Sequence, residues 1–274
     1  MSRTSSSFGN FPLFRRVAKT ALVAVPLAYY VPFVTAAYAL CGLLDVLRNT
    51  PRQSETLRRY FLGNGILTWL LSPFNLLMDL ATLPYRNRGV YQLDDLPLRY
   101  QTELLAVFKD VESEEFRSAI QPLFAEHPRG MFFYKWYGKN LSTTVGFPSL
   151  HADHRYITTI GVSAFAPWSS TSTHFGPLRA TLRVLYSINQ MHDPGAYIKV
   201  GATTNRWCDE RLFIFDDTLQ HKSCNETDSM RYCLFVDIVR PSLIPRAMRF
   251  LVRLIGAVLL PFRAKFYRNW KVAS

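Results

Sequence analysis

A chain of 274 residues is long enough to bury a substantial core in one large domain or two small ones. It carries 32 Lys and Arg against 20 Asp and Glu, a formal charge of +12, and 49% of its residues are hydrophobic. Cys41, Cys208, Cys224 and Cys233 form no CxxC pair and no zinc spacing, which argues against a disulfide framework and for a reducing compartment. The positive balance suits an anionic partner, and its placement beside apolar runs argues against a nucleic-acid groove and for a phospholipid surface.

A basic N-terminal tip, residues 1–19, contains Arg15, Arg16 and Lys19. Residues 20–44 hold no charge and are long enough to cross a bilayer as a helix. No small-residue cleavage site follows, so this run is expected to be an anchor rather than a signal peptide. Pro26 and Pro32 would kink it, which leaves a bent or re-entrant segment as the alternative. A second uncharged run, residues 60–78, is interrupted by Gly63, Gly65 and Pro73 and reads as a helical segment lying in the interface. Residues 20–84 are therefore expected to be a membrane-anchoring helical region.

From residue 85 to residue 245 the composition is that of a soluble domain. Residues 96–123 have helical apolar spacing around an acidic centre, Asp110, Glu112, Glu114 and Glu115. Strand signals follow at 131–137, 156–165, 181–188, 196–200, 212–215 and 232–239, separated by turns such as His192-Asp-Pro-Gly195 and Asn225-Glu-Thr-Asp228. Short strands at this spacing predict a mostly β fold, an antiparallel barrel or double-sheet jelly roll. Residues 246–274 form a basic amphipathic tail with Arg246, Arg249, Arg253, Arg263, Lys265 and Arg268. Its longest apolar stretch is too short to span a bilayer and is expected to lie on one.

A mononuclear iron oxygenase needs two imidazoles on one side of the metal, open positions for a 2-oxo acid and O2, and a cation for the distal carboxylate. His174 stands at the mouth of a strand that carries Arg183 nine residues on. His221 ends the run begun at Leu212, and a turn at 225–228 leads to Arg231, so that His221 and Arg231 are expected to face each other across one hairpin. An arginine suits the receiving role because its planar fork binds a carboxylate at two points. His151-Ala-Asp153 is a literal His-x-Asp, the usual first half of a facial triad, and competes with His174 for the metal. Asp216 and Asp217 are further carboxylates near His221, better suited to orienting neighbours than to ligation.

Several stretches resemble the aspartyl/asparaginyl β-hydroxylase family, including its bacterial lipid A 2-hydroxylase and ornithine lipid hydroxylase branch. They are Thr-His-Phe-Gly-Pro at 173–177, Thr-Leu-Arg at 181–183, Phe-Ile-Phe-Asp-Asp-Thr-Leu-Gln-His at 213–221 and Arg-Tyr-Cys-Leu-Phe-Val-Asp-Ile-Val-Arg-Pro at 231–241. Leu-Ser-Pro-Phe-Asn-Leu-Leu-Met at 71–78 and Phe-Tyr-Lys-Trp-Tyr-Gly at 133–138 look like the lipid branch in particular. The resemblance implies a double-stranded β-helix in which His174 and His221 bind Fe(II), Arg231 takes the distal carboxylate of 2-oxoglutarate with help from Ser163, and Arg183 touches cosubstrate or substrate. The family's lipid members imply O2-dependent hydroxylation of a membrane-lipid acyl chain, at carbon 2. The chain departs from the facial triad at Gly176, where many iron oxygenases carry a carboxylate. That departure favours the alternative substrate, an Asp or Asn side chain in a protein or peptide. A non-catalytic barrel is the third reading, disfavoured by the presence of His174, His221 and Arg231 together. Fe(II) and 2-oxoglutarate are cytosolic supplies, so the expected place is a bacterial inner membrane with the catalytic domain facing the cytoplasm.

Overall fold

Residues that alternate between two buried faces can only sit in a sheet covered on both sides, and that is how the strand-rich half of this chain is built. The structure, a computed structural model, describes residues 11–83, 85, 87–124, 129–141, 146–262 and 271–273. Arg263, Lys265 and Arg268, together with residues 1–10 and the side chains of Arg15, Arg16 and Lys19, lie outside the described residues.

In chain order, helices α1 (Phe11–Tyr30), α2 (Pro32–Val46), α3 (Ser54–Leu62), α4 (Ile66–Leu70) and α5 (Ser72–Ala81) come first. Strand β1 (Val90–Tyr91) and helices α6 (Leu98–Val111) and α7 (Glu114–Phe124) precede β2 (Arg129–Trp136), β3 (Lys139–Asn140) and α8 (Pro148–His151). Then come β4 (Ile157–Phe165), β5 (Ser169–Ser170), β6 (Thr181–Ser187), β7 (Ala196–Val200) and β8 (Thr203–Arg206). The chain continues through β9 (Leu212–Phe215), β10 (His221–Asn225), β11 (Arg231–Val239), α9 (Pro245–Leu259) and β12 (Lys271–Ala273).

Among the described residues the strands form two sheets. One runs β1-β9-β6-β11-β4-β2-β12 with β3 folded back on β2, and the other runs β5-β10-β7-β8. Pairing is antiparallel throughout except between β12 and β2. On β6, Leu182, Val184 and Tyr186 join a core with Leu104, Val107 and Phe116 of α6 and α7. The intervening Leu185 joins Phe213, Phe235 and, from the smaller sheet, Ile198 and Val200. Helices, large sheet and small sheet therefore stack as three layers, and the two sheets enclose a jelly-roll-like interior.

The helical stretch at 96–123 is two helices. Ser113 ends the first and caps the second, its hydroxyl accepting from Phe116 N at 3.1 Å. The uncharged run at 20–44 is also divided, because the Pro32 ring pushes Val31 out of helical conformation to φ −136°, ψ 58°. Among the described residues no helix is long and apolar enough to cross a membrane. The apolar residues of this region instead point outward, Leu22, Val25 and Phe33 being 76%, 66% and 89% exposed. Gly63, Gly65 and Pro73 break residues 60–78 into short helices whose polar face, Thr68, Ser72 and Asn75, is buried on the barrel.

Candidate metal centre

Where β9 ends, Asp216 Oδ1 accepts from Thr218 N at 2.9 Å and from its hydroxyl at 2.6 Å. This local turn lifts the chain from the large sheet to the small one, where β10 opens with His221. His174 lies opposite it. Each donates its backbone N–H to the other's carbonyl at 2.9 Å, an antiparallel pair that puts both side chains on one face. The ring centroids are 4.1 Å apart.

Both imidazoles are oriented in the same way. Nδ1 of His174 is 2.7 Å from Ser172 O, and Nδ1 of His221 is 2.8 Å from Leu219 O. A carbonyl only accepts, so in each neutral ring Nδ1 keeps its proton and Nε2 presents a lone pair. Burial, aided by His174, holds the His221 pKa well below the ordinary histidine value, so its ring is neutral. Its Nε2 lies 3.4 Å from Asp217 Oδ1, so two acceptors face each other. A cation resolves that arrangement, and two neutral imidazoles are suitable donors for a divalent transition metal. Among the described residues no group of three or more His, Cys, Asp or Glu is assembled, so the donor set is the histidine pair. Asp217 is held by Arg183, whose Nη1 and Nη2 are each 3.2 Å from its two oxygens. It also occupies the place of a side chain at position 176. A Cβ on Gly176 would lie 1.8 Å from Asp217 Oδ2, so the carboxylate missing after the first histidine reaches the site's edge from the opposing turn instead.

Arg231 begins β11 in the large sheet, not the strand paired with β10. The expected hairpin between His221 and Arg231 is therefore corrected: they face each other across the gap between the sheets. Arg231 is 1% exposed, stacks on Phe165 at 4.2 Å and donates from Nη2 to Ser223 Oγ at 2.9 Å. Its Nε and Nη1 have no hydrogen-bond partner among the described residues, and no carboxylate there pairs with it. Burial accordingly pulls its pKa below the ordinary value, though a guanidinium stays charged. A buried cation with two idle donors is costly unless an anion completes it. Ser223 is two residues along β10 from His221, roughly 7 Å by strand rise, which matches the reach of a five-carbon dicarboxylate chelating at one end.

His174, His221, Arg231, Arg183 and Ser163 all line one cavity, with half-exposed His174 toward its mouth and Arg231 at its floor. Ser163 donates its hydroxyl to Cys233 O at 3.3 Å on the neighbouring strand. Arg183 is not on the same strand as His174, since Pro177 intervenes and β6 belongs to the other sheet. Its charge is matched by Asp217 and by Asp237, 2.6 Å from Nε, so it holds Asp217 in place, whereas Arg231 is the cation left to receive an anion. The competing pair is elsewhere: His151 packs against Tyr134, and Asp153 accepts from Arg249 at 3.0 Å.

Three contributors were not apparent from sequence. Ser223 and Thr171 line the same cavity, and the His-x-Ser alternation on β10 was the available sign for the former. Asn75 on α5 is the third. It donates to Pro177 O at 3.1 Å and accepts from Arg179 N at 2.9 Å, while Thr68 donates to Gly176 O at 3.0 Å. The loop bearing His174 is thus mounted on the N-terminal helices.

Residues 140–241 match the model of the family described as aspartyl/asparaginyl β-hydroxylase. A curated relative from Rhizobium tropici, ornithine lipid ester-linked acyl 2-hydroxylase, is 34% identical over 87 residues, covering 31% of this chain and 31% of that protein. The match thus spans about a third of the relative's length. Among solved structures, a 2OG-Fe(II) oxygenase family oxidoreductase from Burkholderia pseudomallei is 13% identical at a TM-score of 0.31, covering 47% of this chain and 81% of that one. A Pseudomonas putida prolyl-4-hydroxylase is 14% identical at a TM-score of 0.25, covering 30% and 48%. Likeness at these scores carries no weight beside the strand order itself.

Proposed function

We propose, from the match of residues 140–241 to the aspartyl/asparaginyl β-hydroxylase family model, that the chain is an Fe(II)- and 2-oxoglutarate-dependent dioxygenase hydroxylating an acyl chain of a membrane lipid. The observation that carries this reading is the buried, half-satisfied Arg231 at the floor of a cavity whose other end presents two Nε2 lone pairs. His174 and His221 hold the metal, and Arg231 Nε and Nη1 receive the distal carboxylate of 2-oxoglutarate. Bound there, iron(II) supplies O2 activation coupled to decarboxylation of 2-oxoglutarate to succinate and CO2, with the second oxygen atom entering a C–H bond. Arg183 fixes Asp217 beside His221, where its carboxylate would help to orient the groups around the histidine pair. Apolar Phe235, Leu185 and Phe215 wall the cavity and keep bulk water from the reacting carbon.

The relative from Rhizobium tropici supports a lipid substrate of the ornithine lipid type, attacked at carbon 2 of an ester-linked chain, with lipid A the other candidate of the same chemistry. The outward apolar residues of α1, α2 and α5 support a membrane surface, and the cytosolic supply of both cofactors supports its cytoplasmic side. The alternative, hydroxylation of Asp or Asn in a peptide, draws on Gly176, the position that lacks a carboxylate. Equilibrium dialysis of the purified protein with Fe(II), followed by succinate release, tests the chemistry. Wild type retains the metal and forms succinate, whereas His174→Ala and His221→Ala retain none. Iron retention that survives in His174→Ala but is lost in His151→Ala would refute the assignment.

A further inference from the structure

We propose that the outer face of α9 and the strand end beneath it form a second binding site, a seat for an anionic phospholipid of a bilayer surface. Successive residues of a helix advance by about 100°, and α9 sorts them into three sectors. Met248, Val252 and Gly256 are buried on the barrel. Phe250, Leu254 and Val258, at four-residue spacing, form a ridge exposed by 70%, 52% and 63%. Arg246, Arg249 and Arg253 run along the boundary between the two.

A cavity of about 460 Å³ opens on that boundary, lined by the three arginines, Arg155, Asp153 and Phe250. Four guanidiniums share one carboxylate there. Asp153 is 3.0 Å from Arg249 and 3.8 Å from Arg253 and is itself 88% exposed, while Arg155 and Arg246 have no acidic partner among the described residues. Behind them, Lys135 donates to Ala152 O at 2.7 Å, and its pKa is pushed down to about 8, chiefly by burial, with Arg249 and Arg253 adding to it against Asp153 and Glu103. The cavity therefore has an excess of cationic charge, suited to a phosphate diester.

Arg253 also borders a second, more apolar hollow of about 530 Å³ formed by Trp136, Tyr137, Gly138, Gly256, Ala257 and Leu260. Its close helix–strand approach requires glycine at 256, where a Cβ would fall 2.3 Å from the Tyr137 Cβ. Phosphate against the arginines and an acyl chain in the adjoining hollow is the division that a phospholipid presents, and the exposed ridge would enter the same leaflet. A nucleic acid would satisfy the arginines and leave that ridge in water. The site is separate from the metal centre: Met131 lines the metal cavity and Trp136 the hollow, five residues or about 17 Å along β2.

Sedimentation of the full chain with phosphatidylcholine vesicles, with or without phosphatidylglycerol, tests this. The wild type is expected to prefer the anionic vesicles, and Arg246→Gln/Arg249→Gln to lose on the order of thirtyfold in affinity for them while binding neutral vesicles unchanged. Arg246→Gln alone, which breaks no ion pair among the described residues, should lose about fivefold with an unaltered melting temperature. Soluble glycerol phosphate at matched concentration should not displace the vesicles. Equal binding to both vesicle types, wild-type affinity in the double variant, or displacement by glycerol phosphate would overturn the proposal. Vesicle binding is read without turnover, so its failure is distinct from failure of the hydroxylase chemistry.

Discussion

Arg231 is where burial cost and function meet. Two of its donors are idle inside the barrel, so an incoming carboxylate gains two charge-assisted hydrogen bonds without displacing a protein partner. Arg231→Gln is therefore expected to raise the 2-oxoglutarate concentration for half-maximal succinate release by about a hundredfold, with Fe(II) retention unchanged. Arg231→Lys should recover little of it, because a single ammonium cannot replace the fork. Gly176→Ala drives a methyl into the Asp217 carboxylate, and a loss of about 1–3 kcal/mol in urea unfolding is expected. Asn75 is a positioning residue: Asn75→Ala frees the His174 loop at Pro177 and Arg179 and should weaken Fe(II) binding about tenfold by titration. His174, His221 and Arg231 could be singled out from sequence because such residues at this spacing are uncommon, and the fold brings all three to one cavity. Asn75 could not, since it lies about a hundred residues from its partners and acts on backbone atoms that any sequence would supply.

Secondary elements were legible where burial imposes a period. The six apolar strand runs reappear within a residue or two, whereas β1, β3, β5 and β8 are two to four residues long and carry no apolar pattern to read. Sheet membership was not legible, since Asp216 redirects the chain through a side-chain turn that carries β10 into a different sheet from β9. The same residue ties α2 to the barrel. Burial alone would raise the Asp216 carboxyl, but Arg48 at 2.7 Å, Arg179 at 3.5 Å and Arg240 prevail and hold it well below the ordinary carboxylate range. In the unfolded chain that carboxyl takes up a proton near pH ~4, and in the fold only at lower pH. Its stabilisation is thus complete above that pH and lost as pH falls further. Asp216→Asn should cost about 3–5 kcal/mol at pH 7 and flatten the decline of stability with acid, measured by urea unfolding across pH 2–7.

The barrel, the helices that mount its histidine loop and the outward apolar faces of those helices form one arrangement. A charge-free run reads as one continuous helix until Pro32 divides it, and composition alone does not show that break. The proposed lipid hydroxylation is tested most directly in a bacterium of defined lipid content expressing the wild type or His221→Ala. Mass spectrometry of total lipids should show a gain of one oxygen on an ester-linked acyl chain, placed at carbon 2 by fragmentation, in cells with the wild type alone. An unchanged lipid profile from cells holding iron-loaded, succinate-forming protein, or the same gain with His221→Ala, would contradict a lipid acyl hydroxylase.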